Sequence, residues 1–391
     1  MYPPIKLNSK GFRKYLKGAQ WFTEEDLYDP ERVKREVEPG SIISLYAENN
    51  FLAQAFYNPY SRYVIKIVSH ERRAINRDFF IETLSRALSF RNRIYPQEKA
   101  FRLVFAEGDF LPGLVVDIYD KVAVLQIHTL GMERLKETLV ETLPLVYPLE
   151  SILLKNDFEK RKEEGLPLYV ESYLKEPPET VLVAMDDIKF LIPIKKGQKT
   201  GFFLDQRENR RFLGKISSNL TLIDAFSYTG AFSLYALKGG AKRAFLLDRS
   251  TYALELALET AKLNGFTDHL IPVEGDVFTL LKNPVADADI LVLDPPALIK
   301  SKRDFEKGMQ KYKELYFLGL NLFRGKEGLL LAFSCSHYLS LEEMRNIFHT
   351  LLNKLQKRAR LFKIFHQAPD HPINPYVKET EYLKGIALQL V

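Results

Sequence analysis

Four aspartates stand where apolar, strand-like runs of the second half of the chain end, and this placement could do chemistry. The runs are "LTLIDAF" (220–226), "KRAFLLD" (242–248), "LIPVEGD" (270–276) and "ADILVLD" (288–294), and their acids are Asp224, Asp248, Asp276 and Asp294. Ligands of open parallel sheets bind at the carboxyl ends of the strands. A single aspartate at such a place is more often the N-cap of a helix. Four of them at one edge predict a binding site.

The turn after the first run, "SYTGAF", indicates what this site binds. It contains one glycine, Gly230, and no Lys-Ser/Thr pair follows it, so it is neither a dinucleotide fingerprint nor a phosphate-binding P-loop. Asp248 is placed to accept the hydroxyls of a ribose, and Asp276 to accept an exocyclic amino group such as that of adenine. A nucleoside without phosphates that has a cationic group near Asp224 is S-adenosyl-L-methionine (SAM). The pattern therefore predicts a SAM-dependent methyltransferase.

The motif "LDPPA" (293–297) restricts the substrate. Pro295 and Pro296 each fix φ at about −65° and constrain the residue before them, which produces a rigid, partly extended loop. Asp294 and the carbonyl groups of this loop are then expected to hold the amino edge of a flat base. In many base N-methyltransferases an aromatic residue follows the prolines, whereas this chain has Ala297. That difference weighs against methylation of an exocyclic amine.

The only cysteine, Cys335, lies in "AFSCSH" (332–337), at the end of a fifth strand-like run. In a doubly wound sheet this run lies beside the fourth, so Cys335 and Asp294 are expected at the same edge. A thiolate that adds to carbon 6 of a pyrimidine activates carbon 5 for methylation, which is covalent catalysis. An inert buried thiol is the commoner fate of a lone cysteine. The polar neighbours Ser334 and Ser336 favour the nucleophile.

Composition limits the remaining possibilities. Hydrophobic residues make up 46% and charged residues 27% of the 391 residues, which is ordinary for a globular protein. One cysteine cannot form an intrachain disulfide or a cysteine-rich zinc site, so no metal is expected. The chain contains no run of about 18 apolar residues, which is the length needed to span a membrane, and its N-terminus lacks the apolar core of a signal peptide. These features predict a cytoplasmic protein.

Basic residues are concentrated in runs with interleaved aromatic residues. The net charge is only +6, but segment 300–313 has six basic and two acidic residues, and segment 354–363 has five basic and no acidic ones. Single charge runs are usually solvated helix faces, whereas several with Phe and Tyr favour a polyanionic partner. The predicted substrate contacts are Pro295, Pro296, Lys300, Lys302 and Arg303.

The pattern of apolar residues divides the chain into three segments. Residues 1–70 alternate apolar and polar side chains, which predicts half-buried antiparallel strands. Residues 71–188 mix helices with strands. Residues 189–391 alternate strands and helices, which predicts a parallel sheet covered on both faces. The last two apolar runs, "RLFKIFHQ" and "LKGIALQLV", are expected to pair antiparallel at the edge of that sheet.

Several motifs in fixed order resemble those of a known family. They are "TGFFLDQRENR" (200–210), "DAFSYTGAFS" (224–233), "LDPPA" (293–297), "FSCS" (333–336) and "DHP" (370–372). These motifs are similar to those of the bacterial RlmI-type large-subunit ribosomal RNA cytosine-C5 methyltransferases, and the resemblance covers nearly the whole chain. It implies an RNA-binding PUA domain at 1–70, a small α/β middle domain at 71–188 and a class I Rossmann-like methyltransferase domain at 189–391. The last domain is expected to have a seven-stranded sheet whose final strand is antiparallel.

The resemblance also implies roles for single residues. The stretch "TGFFLDQR" is expected to pack over the cofactor, with Phe202, Gln206 and Arg207 near its methionine end, while Asp205 and Arg210 are alternatively structural. Cys335 and Asp294 are the predicted catalytic residues. The predicted cofactor contacts are Phe202, Gln206, Arg207, Asp224, Phe226, Tyr228, Gly230, Asp248, Arg249, Asp276, Val277 and Asp294. The family further implies a homodimer.

The leading hypothesis is therefore SAM-dependent methylation of a cytosine C5 in large-subunit (23S) ribosomal RNA through a Cys335–C6 adduct. The target base must be unpaired or flipped, because carbon 6 cannot be attacked within a stack. Two alternatives stay open. One is methylation of a guanine nitrogen on the same scaffold, with Cys335 a bystander, and the other is a non-catalytic RNA-binding assembly factor.

Overall fold

The chain forms two compact units, each built from segments that are distant in sequence. The structure is a computed structural model and describes residues 2–391. The first unit contains the chain up to Val183 together with Ile192–Leu204 and Pro369–Glu381, and the second contains Ala184–Leu191, Asp205–Ala368 and Tyr382–Val391. Within residues 2–391, no helix has both the length and the apolar character needed to cross a membrane. The division at residues 70 and 188 stays a prediction.

The N-terminal part of the first unit is a five-stranded sheet in the order β1-β3-β4-β5-β2. Its strands are β1 (Pro4–Leu7), β2 (Trp21–Phe22), β3 (Ile42–Ala47), β4 (Asn50–Tyr57) and β5 (Ile65–Ser69), and its helices are α1 (Ser9–Leu16) and α2 (Pro30–Glu36). Apart from the parallel pair β1–β3, neighbouring strands are antiparallel. The alternation of apolar and polar residues thus correctly predicted a β-rich segment, but it did not indicate the two short helices.

A second five-stranded sheet follows, in the order β10-β9-β8-β7-β6. Its strands are β6 (Ala100–Phe105), β7 (Leu114–Tyr119), β8 (Val122–Ile127), β9 (Ser151–Asn156) and β10 (Tyr169–Leu174), and its helices are α3 (Arg77–Ile94), α4 (Leu130–Glu133) and α5 (Lys136–Val146). Only β8 and β9 are parallel. Phe80 and Leu84 of α3 and Leu139 of α5 are buried in one core with the sheet. A hairpin of β11 (Val181–Met185) and β12 (Ile188–Ile192) comes next.

The second unit contains a seven-stranded sheet in the order β15-β14-β13-β16-β17-β19-β18. The strands are β13 (Thr221–Ala225), β14 (Arg243–Asp248), β15 (Leu270–Glu274), β16 (Ile290–Leu293), β17 (Gly328–Ser334), β18 (Ala359–His366) and β19 (Lys384–Leu390). Strand β19 is antiparallel to both of its neighbours. The predicted seven-stranded sheet with an antiparallel last strand is confirmed. Strand β19 lies between β17 and the edge strand β18.

Helices connect the parallel strands of this sheet. They are α6 (Arg207–Ile216), α7 (Ala231–Lys238), α8 (Thr251–Leu263), α9 (Val277–Lys282), α10 (Phe305–Leu322) and α11 (Leu341–Lys354). Strands β13, β16 and β17 are buried on both faces, and Tyr316 of α10 stacks on Phe348 of α11 with 4.4 Å between ring centroids. Because the central strands are fully covered, ligands reach this sheet only at the strand ends and the loops that follow them.

Candidate active site

The register of the parallel strands brings four chain segments to one edge of the sheet. Ala225 of β13 pairs with Leu247 of β14 and with Leu293 of β16, and Leu293 pairs in turn with Ala332 of β17. Soon after these level positions the chain reaches Asp248, Asp294 and Cys335. Asp224 lies one residue before Ala225, inside β13 rather than at its end. Asp294 and Cys335, the predicted catalytic pair, therefore follow two adjacent strands at the same edge of the sheet.

Asp224 is buried and only half satisfied by the protein. Asp224 is 1% exposed. Its Oδ2 accepts hydrogen bonds from the backbone N (3.1 Å) and the Oγ (2.8 Å) of Ser233. Within residues 2–391, its Oδ1 and the buried Oγ of Ser227 have no hydrogen-bond partner. Burial raises the pKa of Asp224 to about 6. Buried polar atoms without partners are rare, so these two atoms suit an external donor.

The loop between β13 and α7 is held in an unusual backbone conformation. Phe226, Tyr228 and Gly230 have φ values of 64°, 50° and 72°, a region that costs non-glycine residues about 1–3 kcal/mol. A Cβ at Gly230 would lie 2.6 Å from a methyl group of Leu246. The backbone N of Tyr228 donates to Asp248 Oδ2 (2.9 Å), which fixes the loop on β14. The strain indicates a loop shaped for close approach of a ligand.

The other two strand-end acids have different environments. Asp248 is partly exposed, and its Oδ1 accepts from the backbone N of Ser250 (2.9 Å), while Arg249 is exposed. Asp276 lies two residues beyond β15 and is the N-cap of α9, where its Oδ1 accepts from the backbone N of Thr279 (3.1 Å). Asp276 is exposed and is followed by the buried Val277. Asp276 thus has the capping role expected of a single strand-end aspartate, and its contact with adenine stays a prediction.

Asp294 lies in a cluster of buried charges. It follows β16 directly, and its backbone N donates to the carbonyl oxygen of Ala225 (3.3 Å). Burial and the negative charges of Asp205 and Asp224 raise the pKa of Asp294 to about 7, although the positive charge of Arg210 opposes this shift. We call Asp205, Arg210, Asp224 and Asp294 the charge cluster. The cluster contains three acidic residues and one basic residue, so binding of protons or of a cation would stabilise it.

Arg210 is the member of the charge cluster whose role the sequence left open. The residue is 4% exposed, and its guanidinium lies 5.4 Å from the ring centroid of Phe232. Burial lowers the pKa of Arg210, against the attraction of the acids. Arg210 stands on α6 four residues after Gln206 and three after Arg207, spacings that share one helix face. That spacing was the available signal for placing Arg210 in the site.

The other residues of "TGFFLDQR" are buried as well. Asp205 Oδ2 accepts a hydrogen bond from the hydroxyl of Tyr382 (2.5 Å), and Gln206 Oε1 accepts one from Asn209 Nδ2 (2.6 Å). Arg207 is 1% exposed. Phe202 belongs to the first unit and is buried there. Gln206 and Arg207 are therefore fixed on the α6 turn that carries Arg210.

Cys335 is presented by a network that holds its two neighbours. Ser334 and Ser336 are fully buried, and the hydroxyl of Tyr312 on α10 is hydrogen-bonded to both of their Oγ atoms, at 2.8 Å and 2.7 Å. Cys335 itself is partly exposed. The backbone N of Ser336 also donates to Ser334 Oγ (3.1 Å), so the network fixes the chain on both sides of Cys335. Sequence reasoning did not identify Tyr312.

The cysteine loop and the proline loop are joined directly. The backbone N of Ile299 donates to Ser336 Oγ (3.2 Å), which connects the segment after Asp294 to the segment around Cys335. Lys384 Nζ donates to the carbonyl oxygens of Ser336 and Leu339, both at 2.8 Å. These bonds hold the two loops in a fixed relative position. The predicted nucleophile and the predicted base-binding acid require such fixed positions.

The predicted substrate contacts lie on the surface beside these loops. Pro295 is buried, whereas Pro296, Lys300, Lys302 and Arg303 are exposed. Within residues 2–391, none of these three basic side chains forms an ion pair. Their charges are available to a polyanion.

Comparisons with known proteins agree with this geometry. Residues 5–70 match the PUA-like domain, and residues 167–330 match the S-adenosylmethionine-dependent methyltransferase domain. A methyltransferase designated SMU.776, crystallised with SAH, superposes with a TM-score of 0.83 at 21% identity, over 99% of this chain and 100% of that chain. A SAM-dependent methyltransferase from Streptococcus mutans gives 0.82, with the same identity and coverage. The predicted fold class, PUA domain, enzyme class and cofactor are confirmed.

Curated relatives extend the match to the whole chain. The ribosomal RNA large subunit methyltransferase I of Aliivibrio fischeri (strain ES114) is 34% identical over 370 residues, which cover 92% of this chain and 93% of the relative. That of Vibrio cholerae (strain O395) is 35% identical and covers 90% and 91%, and that of Shewanella frigidimarina is 30% identical and covers 99% of both. With both domains in one chain and relatives matched over almost their full length, the protein belongs to the ribosomal RNA large subunit methyltransferase I family.

Proposed function

We propose that this protein methylates carbon 5 of a cytosine in 23S ribosomal RNA, with Cys335 as a nucleophile that adds to carbon 6. The relatives' shared name supports ribosomal RNA as the substrate class. The observation that supports the covalent route is the partly exposed thiol between two serines that Tyr312 holds, joined by Ser336 to the loop after Asp294.

The residues at the sheet edge fit SAM. The charge cluster has three acids against one base, and the unpartnered Oδ1 of Asp224 and Oγ of Ser227 would hold the ammonium group of a bound SAM. We assign Phe226, Tyr228 and Gly230 to the loop that receives the cofactor. Further proposed contacts are Phe202, Gln206, Arg207, Asp248, Arg249, Asp276, Val277 and Asp294. When bound, SAM supplies an electrophilic methyl group on its sulfonium.

Cys335 and Asp294 divide the work on the base. The thiolate of Cys335 forms a bond to carbon 6, which makes carbon 5 nucleophilic. Carbon 5 would then take the methyl group, whose bond to the sulfonium sulfur breaks to leave a neutral thioether, and would pass its proton to solvent water. Cleavage of the bond between carbon 6 and the Cys335 sulfur would regenerate the thiolate. Because the pKa of Asp294 is about 7, its carboxyl group is protonated in a fraction of the molecules at neutral pH. The protonated carboxyl can donate a hydrogen bond to N3 and so stabilise the charge that builds up during addition.

The substrate must present an unstacked cytosine to this edge. Attack on carbon 6 occurs from above the ring, so the base is proposed to be unpaired or flipped out of a helix. The exposed side chains of Lys300, Lys302 and Arg303 are assigned to phosphates next to the target, and Pro295 and Pro296 to the base itself. A cytoplasmic location, which the sequence predicts, agrees with this substrate.

Replacement of Cys335 tests the proposal. Cys335→Ser keeps the size of the side chain but is a much weaker nucleophile, so methyl transfer to 23S ribosomal RNA should become undetectable, while SAM affinity measured by calorimetry stays within about twofold of the wild type. Ser218→Ala, an exposed change outside the proposed machinery, is the control and should remain active. Full activity of Cys335→Ser would leave the guanine-nitrogen alternative in place.

The family resemblance also supports a homodimer, and we propose this state. Sedimentation equilibrium should give twice the mass of one chain at micromolar concentrations. A mass equal to one chain at all concentrations would contradict it.

A further inference from the structure

A groove in the first unit lies far along the chain from the proposed catalytic residues. It has a volume of about 500 Å³, and its walls come from the end of β5, from α3 and from the turn after β6. We call it the Phe90–Phe110 groove, after the two aromatic side chains at its rim. A volume of this size is typical of sites for small ligands or single nucleotides.

One helix face supplies an aromatic and a basic side chain to this groove. Phe79, Thr83, Arg86 and Phe90 of α3 line it, at spacings that repeat on one face of a helix. Phe90 is 40% exposed, and the side chain of Arg86 is 73% exposed. Residues 71–93 contain six arginines and three acids. Arg86 forms an ion pair with Glu82 on the same helix, but the excess of three arginines over acids leaves this segment with a net positive charge beside an accessible ring.

The part of the groove formed by the turn after β6 is fixed in place. Phe110 is 64% exposed and has φ of 60°, at the end of a turn that the ion pair between Arg91 and Asp109 holds. The backbone N of Phe105 donates to the same carboxylate (2.6 Å). A Cβ at Gly108 would lie 2.3 Å from the carbonyl oxygen of Pro372, so the turn is closely packed from behind. An exposed ring on a strained, immobile turn is arranged for contact rather than for folding.

The floor of the groove carries polar groups. Gln20, Glu107 and Asn374 contribute to it, and Asn374 Nδ2 donates to the carbonyl oxygen of Glu107 (2.9 Å). Burial raises the pKa of Glu107, which favours the neutral carboxyl group, although the positive charge of Lys66 opposes this. Asn374 Oδ1 also accepts from the backbone N of Tyr376 (3.0 Å), and Gln20 Nε2 donates to the carbonyl oxygen of Gly18 (3.0 Å), so the protein holds both amides in place along the groove.

We propose that the Phe90–Phe110 groove binds an unpaired segment of the ribosomal RNA, with bases stacked on Phe90 and Phe110 and a phosphate at Arg86. Single-stranded RNA is recognised by such combinations of exposed aromatic rings, basic side chains and polar groups at the base edges. The inference rests on RNA as the proposed substrate and adds a second contact, which holds the RNA while another part of it is methylated.

Variants of the two rings test this inference. The probe is a fluorescein-labelled, single-stranded RNA 12-mer of mixed sequence, whose affinity is measured by fluorescence anisotropy without SAM. The double variant Phe90→Ala/Phe110→Ala should bind it at least tenfold more weakly, because each stacked base contributes roughly fivefold to a hundredfold. Tyr28→Ala, at a side chain that is 76% exposed in the same unit but outside the groove, should bind like the wild type.

Two further results separate this inference from the catalytic proposal. The double variant should keep the wild-type SAM affinity, and its kcat at saturating ribosomal RNA should be unchanged while its KM rises. Unchanged affinity for the 12-mer would overturn the inference and leave the chemistry at Cys335 untouched. Conversely, weak RNA binding by the double variant together with full activity of Cys335→Ser would retain the groove and remove the covalent route.

Discussion

Asp294 and Asp224 are carboxyl groups whose ionisation the folded protein opposes. Burial raises their pKa values to about 7 and about 6. Between pH 4 and these values, the folded protein holds protons that the unfolded chain has already released, so the free energy of unfolding falls as the pH rises through this window. The site is therefore less stable when it is ready to bind a cation.

Asp294→Asn should gain stability relative to the wild type as the pH rises from 5 to 8, by on the order of 1 kcal/mol. The reason is that asparagine cannot ionise, whereas Asp294 must do so beside the buried acids Asp205 and Asp224. Melting temperatures across this pH range measure the effect, and the same variant should lose methyl transfer. The exposed Asp268→Asn is the control. Parallel melting profiles for Asp294→Asn and the wild type would contradict the assignment.

Binding of SAM should release protons near pH 6. An ammonium group bound next to Asp224, as proposed, would lower the pKa of that carboxyl, so affinity should increase as the pH rises from 5 to 7. Calorimetry at pH 6 in two buffers of different ionisation enthalpy gives the number of protons directly. In Asp224→Asn, SAM should bind more weakly and with less proton release, and equal release in both proteins would sink this reading.

Local sequence patterns predicted part of this site. The strand-end positions placed Asp224, Asp248 and Asp294 at one edge, because a parallel sheet fixes where strands end. The same argument gave Asp276 a cofactor contact, although its side chain caps α9. Tyr312 could not be predicted, since it reaches Ser334 and Ser336 from a helix 22 and 24 residues away, and no local pattern encodes that contact.

At the scale of elements, the helix α10 sets the position of the cysteine loop. Tyr312→Phe removes the hydroxyl that bonds Ser334 and Ser336, so kcat should fall about tenfold and stability by about 1–2 kcal/mol, with SAM affinity unchanged. Tyr316→Phe, one turn further on, is a matched control because the buried Tyr316 hydroxyl has no partner within residues 2–391. Equal kcat values for the two variants would separate Tyr312 from catalysis.

The turn into α7 depends on glycine. Gly230→Ala places a Cβ against Leu246 at positive φ, so it should weaken SAM binding at least tenfold and lower stability. Gly265→Ala has a similar φ of 74° but open space around it, so it should cost only about 1 kcal/mol and leave SAM binding intact. Calorimetry and thermal melting compare the two. Loss of SAM binding in both would point to general instability instead.

The strand–helix alternation of the second unit could be predicted because apolar residues repeat at different spacings in strands and in helices. Ser250 caps α8, accepting from the backbone N of Ala253 (3.3 Å), and Gly265 follows the helix with φ of 74°, as expected. The segment Pro369–Glu381 was read only as a loop between two strands, yet it belongs to the first unit, where Arg91 donates to the carbonyl oxygen of Asp370 (2.8 Å). Such long-range packing leaves no local signal.

At the scale of the whole molecule, we expect the basic surface to contribute to RNA binding through phosphate contacts. Lys300, Lys302 and Arg303 are exposed without ion pairs within residues 2–391, so phosphates can displace their counterions. Raising the salt concentration from about 50 to 200 mM should weaken RNA binding roughly tenfold or more. A triple change of these residues to Gln should flatten this dependence, whereas the SAM affinity should not respond to salt. An unchanged slope would place the phosphates elsewhere.

The most direct test of the account is to trap the bond between protein and RNA. In ribosomal RNA that carries 5-fluorocytidine, carbon 5 has no proton to lose after methylation, so the covalent adduct should persist. Mass spectrometry of the denatured complex, followed by protease digestion, should find the nucleotide attached to Cys335, and Cys335→Ser should form no adduct. RNA that becomes methylated without any protein adduct, or with an adduct at another residue, would contradict the central claim.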